Sequence, residues 1–446
     1  MIAGAVLSFP FLTWAHDCLL KEIIVSRNRA DLEKSLQDGS YRGEAGILRI
    51  LPVVARSLGM KVSIPKDYLD ARAAFALAES FLEEAKAAMT SRETEPEIQV
   101  RKIAQSYLQY RRALGRAKQG FARYRETLLA ENDERLQPSI SEAVLDRLLA
   151  ESLEKAQNRL RDALGYFYNA CRGTVEKDPP LTQENVDFVN EVFYRFREKA
   201  SGNSLTIYGF DRVEEYRKQT PWMWKKAFPG TFQYESILEE TVRKHRERGC
   251  EADPALFLAL MRRESSFDSS AVSSAGAAGL TQMMPGTALD LGVKNVFWPE
   301  YFTEAGAILE QERRARGQAM AALHGIEEGN ATEYASRARA LMQEALEMGR
   351  QREKRLVRYR VELLEARSDD RLNPAAAIEV GYRYFCALMK EHDGDISLAL
   401  AAYNAGSGRV REYKGIPPFA ETVRFRNRVI DYYFDYLKRL QASSER

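Results

Sequence analysis

An all-α fold is predicted by three features of the 446-residue sequence. Proline and glycine are sparse, at 15 and 27 residues, while Ala, Leu, Glu and Arg abound and strand-like runs are few. Apolar residues recur at three- and four-residue spacing over long stretches, the period of an amphipathic helix. Acidic and basic residues are interspersed, as on solvated helix faces. Their balance, 66 Lys+Arg against 64 Asp+Glu for a net charge of +2, offers no global basic field for nucleic acid. The length implies two or three domains. Cys18, Cys171, Cys250 and Cys386 show no CxxC spacing, and His16, His245, His324 and His392 are dispersed, so neither a zinc site nor a disulfide scaffold is expected. No cofactor or metal is implied.

Residues 1–18 read as a degenerate or truncated export signal. The segment is apolar and ends in Thr13-Trp14-Ala15, but lacks Lys or Arg before Lys21 and is too short to span a bilayer; the alternative is a buried first helix. Residues 19–199 read as a bundle or array of long helices, with Ala71–Met89, Glu97–Leu129, Ile140–Tyr168 and Gln183–Lys199 as its clearest members. Ser139 with Glu142 fits a capping box after the break at Pro138. Tyr107, Tyr110, Arg111, Arg112 and Arg116 form a basic-aromatic face, suited to an anionic glycan or simply solvated. No internal repeat stands out. Residues 200–230 change texture and read as a connector, in which Trp222 and Trp224 would stack on sugars or anchor the junction.

A second domain is expected over residues 231–440. Phe232–Arg248 is its first helix, with Tyr234, Ile237, Leu238 and Val242 buried. The next helix opens on an Asp253 cap with Pro254 in the first turn. Leu256, Leu260 and Phe267 on one flank and Phe257 and Met261 on the other enclose Glu264, and a carboxyl on an apolar face has its pKa raised toward neutrality. A small-residue run from Ser269 to Gly279 follows, which lets backbone approach a ligand closely.

Glu264-Ser265 with Gly276-Ala277-x-Gly279-Leu280-x-Gln282-x-Met284-Pro285-x-Thr287, followed by Ala401-Ala402-Tyr403-Asn404-Ala405-Gly406-x-Gly408-x-Val410, resembles the two signatures of the soluble lytic transglycosylases, whose catalytic domain is similar to goose-type lysozyme. The resemblance covers about 228–293 and 372–440. It implies a lysozyme-like helical domain with Glu264 as the catalytic residue. Ser273, Gly279, Gln282, Met284, Tyr403 and Asn404 would be substrate-binding positions, the Tyr403 hydroxyl bonding Glu264 or the sugar. The implied substrate is the glycan strand of peptidoglycan and the implied location the periplasm or cell envelope.

Between the blocks, residues 294–371 form an insertion read as a helical hairpin, with Asn330 and Glu333 as a reciprocal cap. It would wall one end of the cleft, dock an envelope protein partner, a role open to the N-terminal domain as well, or serve no function. Asn373-Pro374 restarts the domain, and Asp395 caps the helix carrying Tyr403. The closing motif around Pro417-Pro418-Phe419-Ala420-Glu421-Thr422 departs from the family: Val423 stands where Arg is expected and Phe425-Arg426 where Tyr-Val is expected. The resemblance implies cleavage by Glu264 alone, with formation of a 1,6-anhydro end. A water-using muramidase with Asp268 or Asp290 as base, and a non-catalytic glycan-binding or assembly protein, are the alternatives.

Overall fold

The computed structural model describes residues 14–92, 95–157, 159–174, 179–200, 233–250, 252–366 and 368–444. The connector, with Trp222 and Trp224, lies outside these residues, as do residues 1–13. Among the described residues all regular structure is helical, with only isolated β-bridges.

In chain order the helices are α1 (Trp14–Asp38), α2 (Pro52–Ser57), α3 (Lys66–Thr90), α4 (Pro96–Glu126), α5 (Pro138–Lys155), α6 (Leu160–Arg172) and α7 (Val186–Lys199). Beyond the connector come α8 (Glu235–Arg246), α9 (Pro254–Ser265), α10 (Pro285–Asp290), α11 (Glu300–His324), α12 (Ala331–Ala366), α13 (Pro374–Glu391), α14 (Ile396–Ala405), α15 (Ser407–Glu412) and α16 (Ala420–Ser444). None is long and apolar enough to cross a membrane.

Local chemistry sets many boundaries. Asp253, Asn373 and Asp395 each accept a backbone N–H of the helix they precede, from Ala255, from Ala375 and Ala376, and from Leu398. Three sequence expectations are corrected. Pro138 itself takes the first turn of α5 without a side-chain cap, which moves Ser139 inside the helix and removes the capping box. The stretch 140–168 is two helices, split where Gln157 adopts a left-handed φ of 52°. Asn330 turns back instead of capping forward, accepting from Glu327 N–H and donating to Gly325 C=O. Residues 14–18 lie in α1.

One continuous core runs through both halves of the chain. α9 lies at its centre, with Leu256 to Met261 fully buried. Around it pack Leu20, Ile24, Leu164 and Val189 from the N-terminal half and Phe385, Leu400 and Val429 from the C-terminal half. The halves are also joined by buried polar bonds. Asp162 pairs with Arg426, Arg161 with Asp395, and Asn190 and Asn427 bond Ile416 and Leu181 backbone across the junction.

Residues 294–371, expected as an inserted hairpin, fold as the helix pair α11–α12, and its apolar face is already occupied. Ala319, Ala322, Leu323, Ile326, Ala335, Ala338 and Met342 pack on Ala85, Met89, Ile103 and Tyr107 of α3 and α4. At the tip Arg111 donates to Ile326 C=O and Arg112 pairs with Glu328, so part of the basic-aromatic face is an intramolecular contact. A further correction concerns the cysteines: Cys250 and Cys386 form a disulfide, with Cα atoms 5.5 Å apart, tying the end of α8 to α13.

Candidate active site

α9 delivers Glu264 at its last turn. The helix stops at Ser265 because Ser266 and Phe267 both take positive φ, 52° and 68°, and the chain turns sharply. Phe267 is therefore in the turn and not on the helix face assigned to it from spacing. Ser265 staples this end to the following loop, its Oγ donating to Leu280 C=O at 2.9 Å. Glu264, one residue earlier, is half-buried.

The loop 268–284 is held by its own backbone and by glycine. Ala278 and Met283 exchange two N–H···O bonds of 3.1 Å, and Gly276 and Gly279 have φ of 92° and 77°. At Gly279 a Cβ would lie 1.7 Å from Arg371 O, so only glycine fits. Gln282, itself at φ 47°, spends its amide N–H groups on Ala271 and Gly279 C=O, both at 2.9 Å. Ser273 Oγ accepts from Ala275 and Ala277 N–H, closing the turn before Gly276.

A buried guanidinium clamps this loop from behind. Arg371 makes a paired bond to Asp369, donates to Gly276 and Met283 C=O at 3.2 and 3.0 Å, and reaches the Tyr359 hydroxyl at 2.6 Å. Tyr359 belongs to α12, and its hydroxyl donates to Phe297 C=O. The α11–α12 hairpin thus supplies one component of the loop's support. Sequence reasoning overlooked Arg371, although Asp369-Asp370-Arg371-Leu372 immediately precedes the Asn373 cap.

From the other side α14 brings Tyr403, whose hydroxyl donates to Thr281 C=O at 2.9 Å. That oxygen, and not Glu264, is its hydrogen-bond partner. Burial and the nearby Glu264 carboxyl both hold the phenol protonated. Asn404 Oδ1 accepts from Thr422 Oγ at 2.8 Å, linking α14 to α16. Met284 is 39% exposed at the start of α10. Glu264 and Tyr403 are thus neighbours; Ser273, Gly279, Gln282 and Met284 belong to the loop beside them, and Asn404 is turned to α16.

Electrostatics separate the local acids. Burial raises the Glu264 carboxyl to about 8, opposed by Arg263 and reinforced by Glu421. Among the described residues no hydrogen-bond donor reaches the Glu264 carboxyl. Asp268 is exposed and its carboxyl is lowered by Ser270 hydroxyl and backbone N–H bonds, which hold it in a turn. Glu421 lies close enough to influence Glu264, a neighbour that sequence reasoning did not single out. Val423 and Phe425, which depart from the closing motif, are core residues; Arg426 beside them is fully engaged by Asp162, Ser397 and Asn427. A separate open groove of about 1350 Å³ lies at the insertion's base, lined by Ser269, Trp298 and Asn373 but not by Glu264. No cluster of metal-ligating residues exists among the described residues.

Three solved structures resemble this chain. The 70 kDa soluble lytic transglycosylase from Escherichia coli is 16% identical over 95% of this chain and 65% of its own, with a TM-score of 0.27. An inactive mutant of the lytic transglycosylase Slt from Pseudomonas aeruginosa is 15% identical over 96% and 73%, with a TM-score of 0.29. A complex of the 70-kDa soluble lytic transglycosylase with bulgecin A is 14% identical over 95% and 71%, with a TM-score of 0.30. The chain therefore spans about two thirds of the length of the first of these, 65%. The family model of the transglycosylase SLT domain matches residues 242–322 and 329–423, stretches that contain Glu264, the signature loop and Tyr403.

Proposed function

We propose that this chain is a peptidoglycan lytic transglycosylase that cleaves the β-1,4 bond between N-acetylmuramic acid and N-acetylglucosamine, with Glu264 as its single acid and base. The observation that carries the reading is the state of that carboxyl. Held at about 8 by burial, it is protonated at neutral pH and lies beside Tyr403 and the signature loop. A group in that state is poised to donate a proton.

The bridging oxygen takes the Glu264 proton as its bond to the muramoyl C1 breaks. The sugar's own acetamido oxygen shelters the positive charge at C1. The Glu264 carboxylate then removes the proton from the C6 hydroxyl while O6 bonds to C1, which gives a 1,6-anhydro end and restores the acid. No water is consumed, and no second carboxylate is required. Ser273, Gly279, Gln282, Met284, Tyr403 and Asn404 shape the sugar site, with Ser273, Gln282 and Tyr403 acting through the loop backbone that their hydrogen bonds fix. The tie-up of Asp268 in its own turn supports a one-acid scheme.

The disulfide supports an oxidising compartment, consistent with the periplasm or cell envelope where the substrate lies. Mass spectrometry of products from purified peptidoglycan, with the wild type beside Glu264→Gln, tests the reading. Anhydromuramic ends that vanish in the variant are expected. Reducing ends would mean a water-using muramidase and direct attention to Glu421, the carboxylate nearest in effect to Glu264. Binding without release by either protein would make the cleft a non-catalytic grip.

A further inference from the structure

The N-terminal half repeats the C-terminal half. Gly43-x-Ala45-Gly46-Ile47-x-x-Ile50-Leu51-Pro52 parallels Gly276-x-Ala278-Gly279-Leu280-x-x-Met283-Met284-Pro285, and Asp133-Glu134-Arg135-Leu136-Gln137-Pro138 parallels Asp369-Asp370-Arg371-Leu372-Asn373-Pro374. Tyr168-Asn169-Ala170 matches Tyr403-Asn404-Ala405, and Glu184-Asn185-Val186-x-Phe188-x-Asn190 matches Glu421-Thr422-Val423-x-Phe425-x-Asn427. The four blocks occur in one order in both halves, and so do the elements: a helix, a glycine loop, a six-residue helix, a long helical hairpin and a 3₁₀ turn before two further helices.

Unusual backbone and side-chain geometry recurs with them. Gly43, Gly46, Arg49 and Gly59 have positive φ, as do Gly276, Gly279, Gln282 and Gly292; Gln157 at 52° pairs with Asp393 at 51°. Arg135 bonds Asp133, the Tyr124 hydroxyl, and Gly43 and Ile50 C=O, the same set that Arg371 makes with Asp369, Tyr359, Gly276 and Met283. A Cβ on Gly46 would meet Arg135 O at 1.9 Å, as one on Gly279 meets Arg371 O at 1.7 Å. Glu134 N–H donates to Lys61 C=O while its carboxylate takes Lys61 N–H; Asp370 and Asn295 repeat both bonds. Asn185 donates to Asn169 Oδ1 where Thr422 donates to Asn404 Oδ1.

Only the chemistry is missing from the first copy. Asn28 donates to Ile47 C=O as Ser265 does to Leu280 C=O, so Arg27 occupies the place of Glu264. Arg27 pairs with Asp31 and Glu191; Arg49, in the place of Gln282, pairs with Asp31 and Glu44; Arg172 also reaches Glu44. Three cations and three carboxylates thus close on one another where the second copy opens its cleft. The two hairpins, α3–α4 and α11–α12, pack face to face as the halves' counterpart elements.

We propose that residues 14–199 are a second, acid-less copy of the unit formed by residues 252–440, with its cleft sealed by ion pairs, and that it serves to brace the catalytic copy's hairpin. Bracing matters because α12 carries Tyr359, the support of the Arg371 clamp under the signature loop. The single-site part of this proposal rests on the transglycosylase reading; the duplication does not.

Calorimetric titration of full-length Glu264→Gln with a purified four-sugar peptidoglycan fragment, and melting of Tyr124→Phe and Tyr359→Phe, test it together. One fragment per chain is expected, with both tyrosine variants melting lower by a comparable amount, about 2–5 °C. At a temperature where both are folded, Tyr359→Phe should lose cleavage rate and Tyr124→Phe should keep the wild-type kcat. Two fragments per chain would overturn the sealed cleft. A melting loss confined to one tyrosine would overturn the matched clamps; Ile103→Ala, which thins the contact between the hairpins, should lower kcat, and an unchanged kcat in it would overturn the bracing. If no fragment binds, the transglycosylase reading fails, and the melting pair alone decides the duplication.

Discussion

At Glu264 two environments compete, an apolar helix end that favours the neutral acid and the Arg263 guanidinium that favours the carboxylate; burial prevails. The sign of the consequences follows. A carboxyl raised to about 8 is a competent acid below that value, so the cleavage rate should fall as pH rises through about 8. A pH–rate profile flat to pH 10 would remove Glu264 as the acid. Stability is linked to the same proton. The folded state binds it more tightly than the unfolded chain, so this contribution is present at low pH and is lost as pH rises from the ordinary glutamate range to about 8. Glu264→Gln cannot ionise, and at pH 9 it should be more stable than the wild type by on the order of 2–4 kcal/mol, with the gap closing by pH 4 in urea titrations. The position of this acid was legible because a lone glutamate interrupts an apolar helical period. The role of Glu421 was not, since only folding brings α16 beside α9.

The signature loop shows what an element's sequence can and cannot announce. Its small residues and glycines marked close backbone approach, and the structure gives the reason: Arg371 O fills the space beside Gly279. Gly279→Ala must therefore strain a positive φ and displace backbone, and we expect a loss of about 2–4 kcal/mol in stability with cleavage impaired at 25 °C. A wild-type melting curve would refute the clamp. The Arg371–Asp369 pair was not legible, because a buried ion pair is defined by the carbonyls it reaches, some 90 residues away in sequence. The disulfide was missed for the same reason: Cys250 and Cys386 are 136 residues apart, and only the packing of α8 on α13 brings them within bonding distance. Closing so long a loop should contribute about 2–4 kcal/mol, so a Cys250→Ala/Cys386→Ala variant should melt several degrees lower, and reductant should shift the wild type but not the variant.

For the whole molecule, helical class and the caps at Asp253, Asn373 and Asp395 were readable from local pattern. The relation between the halves was written there too, as four short blocks in one order, but it was overlooked because the long hairpins separate the blocks and the positions between them, such as Asn28 for Ser265, differ. The sequence did not reveal how far the halves depend on each other. The departures at Val423, Phe425 and Arg426 make sense only at their junction, where Arg426 neutralises Asp162. Asp162 is fully buried between Arg159 and Arg426, and its carboxyl is lowered by those guanidiniums against a large burial penalty. Its contribution is therefore present above the ordinary aspartate range and is lost as pH falls through the lowered value. Asp162→Asn leaves Arg426 buried without its counter-charge, at a cost of about 3–5 kcal/mol. Because one core runs through both halves, that loss should lower a single cooperative transition of the entire chain, followed by calorimetry at pH 7. Two separate transitions, with only the first displaced, would show instead that the N-terminal half folds alone and that its hairpin braces nothing.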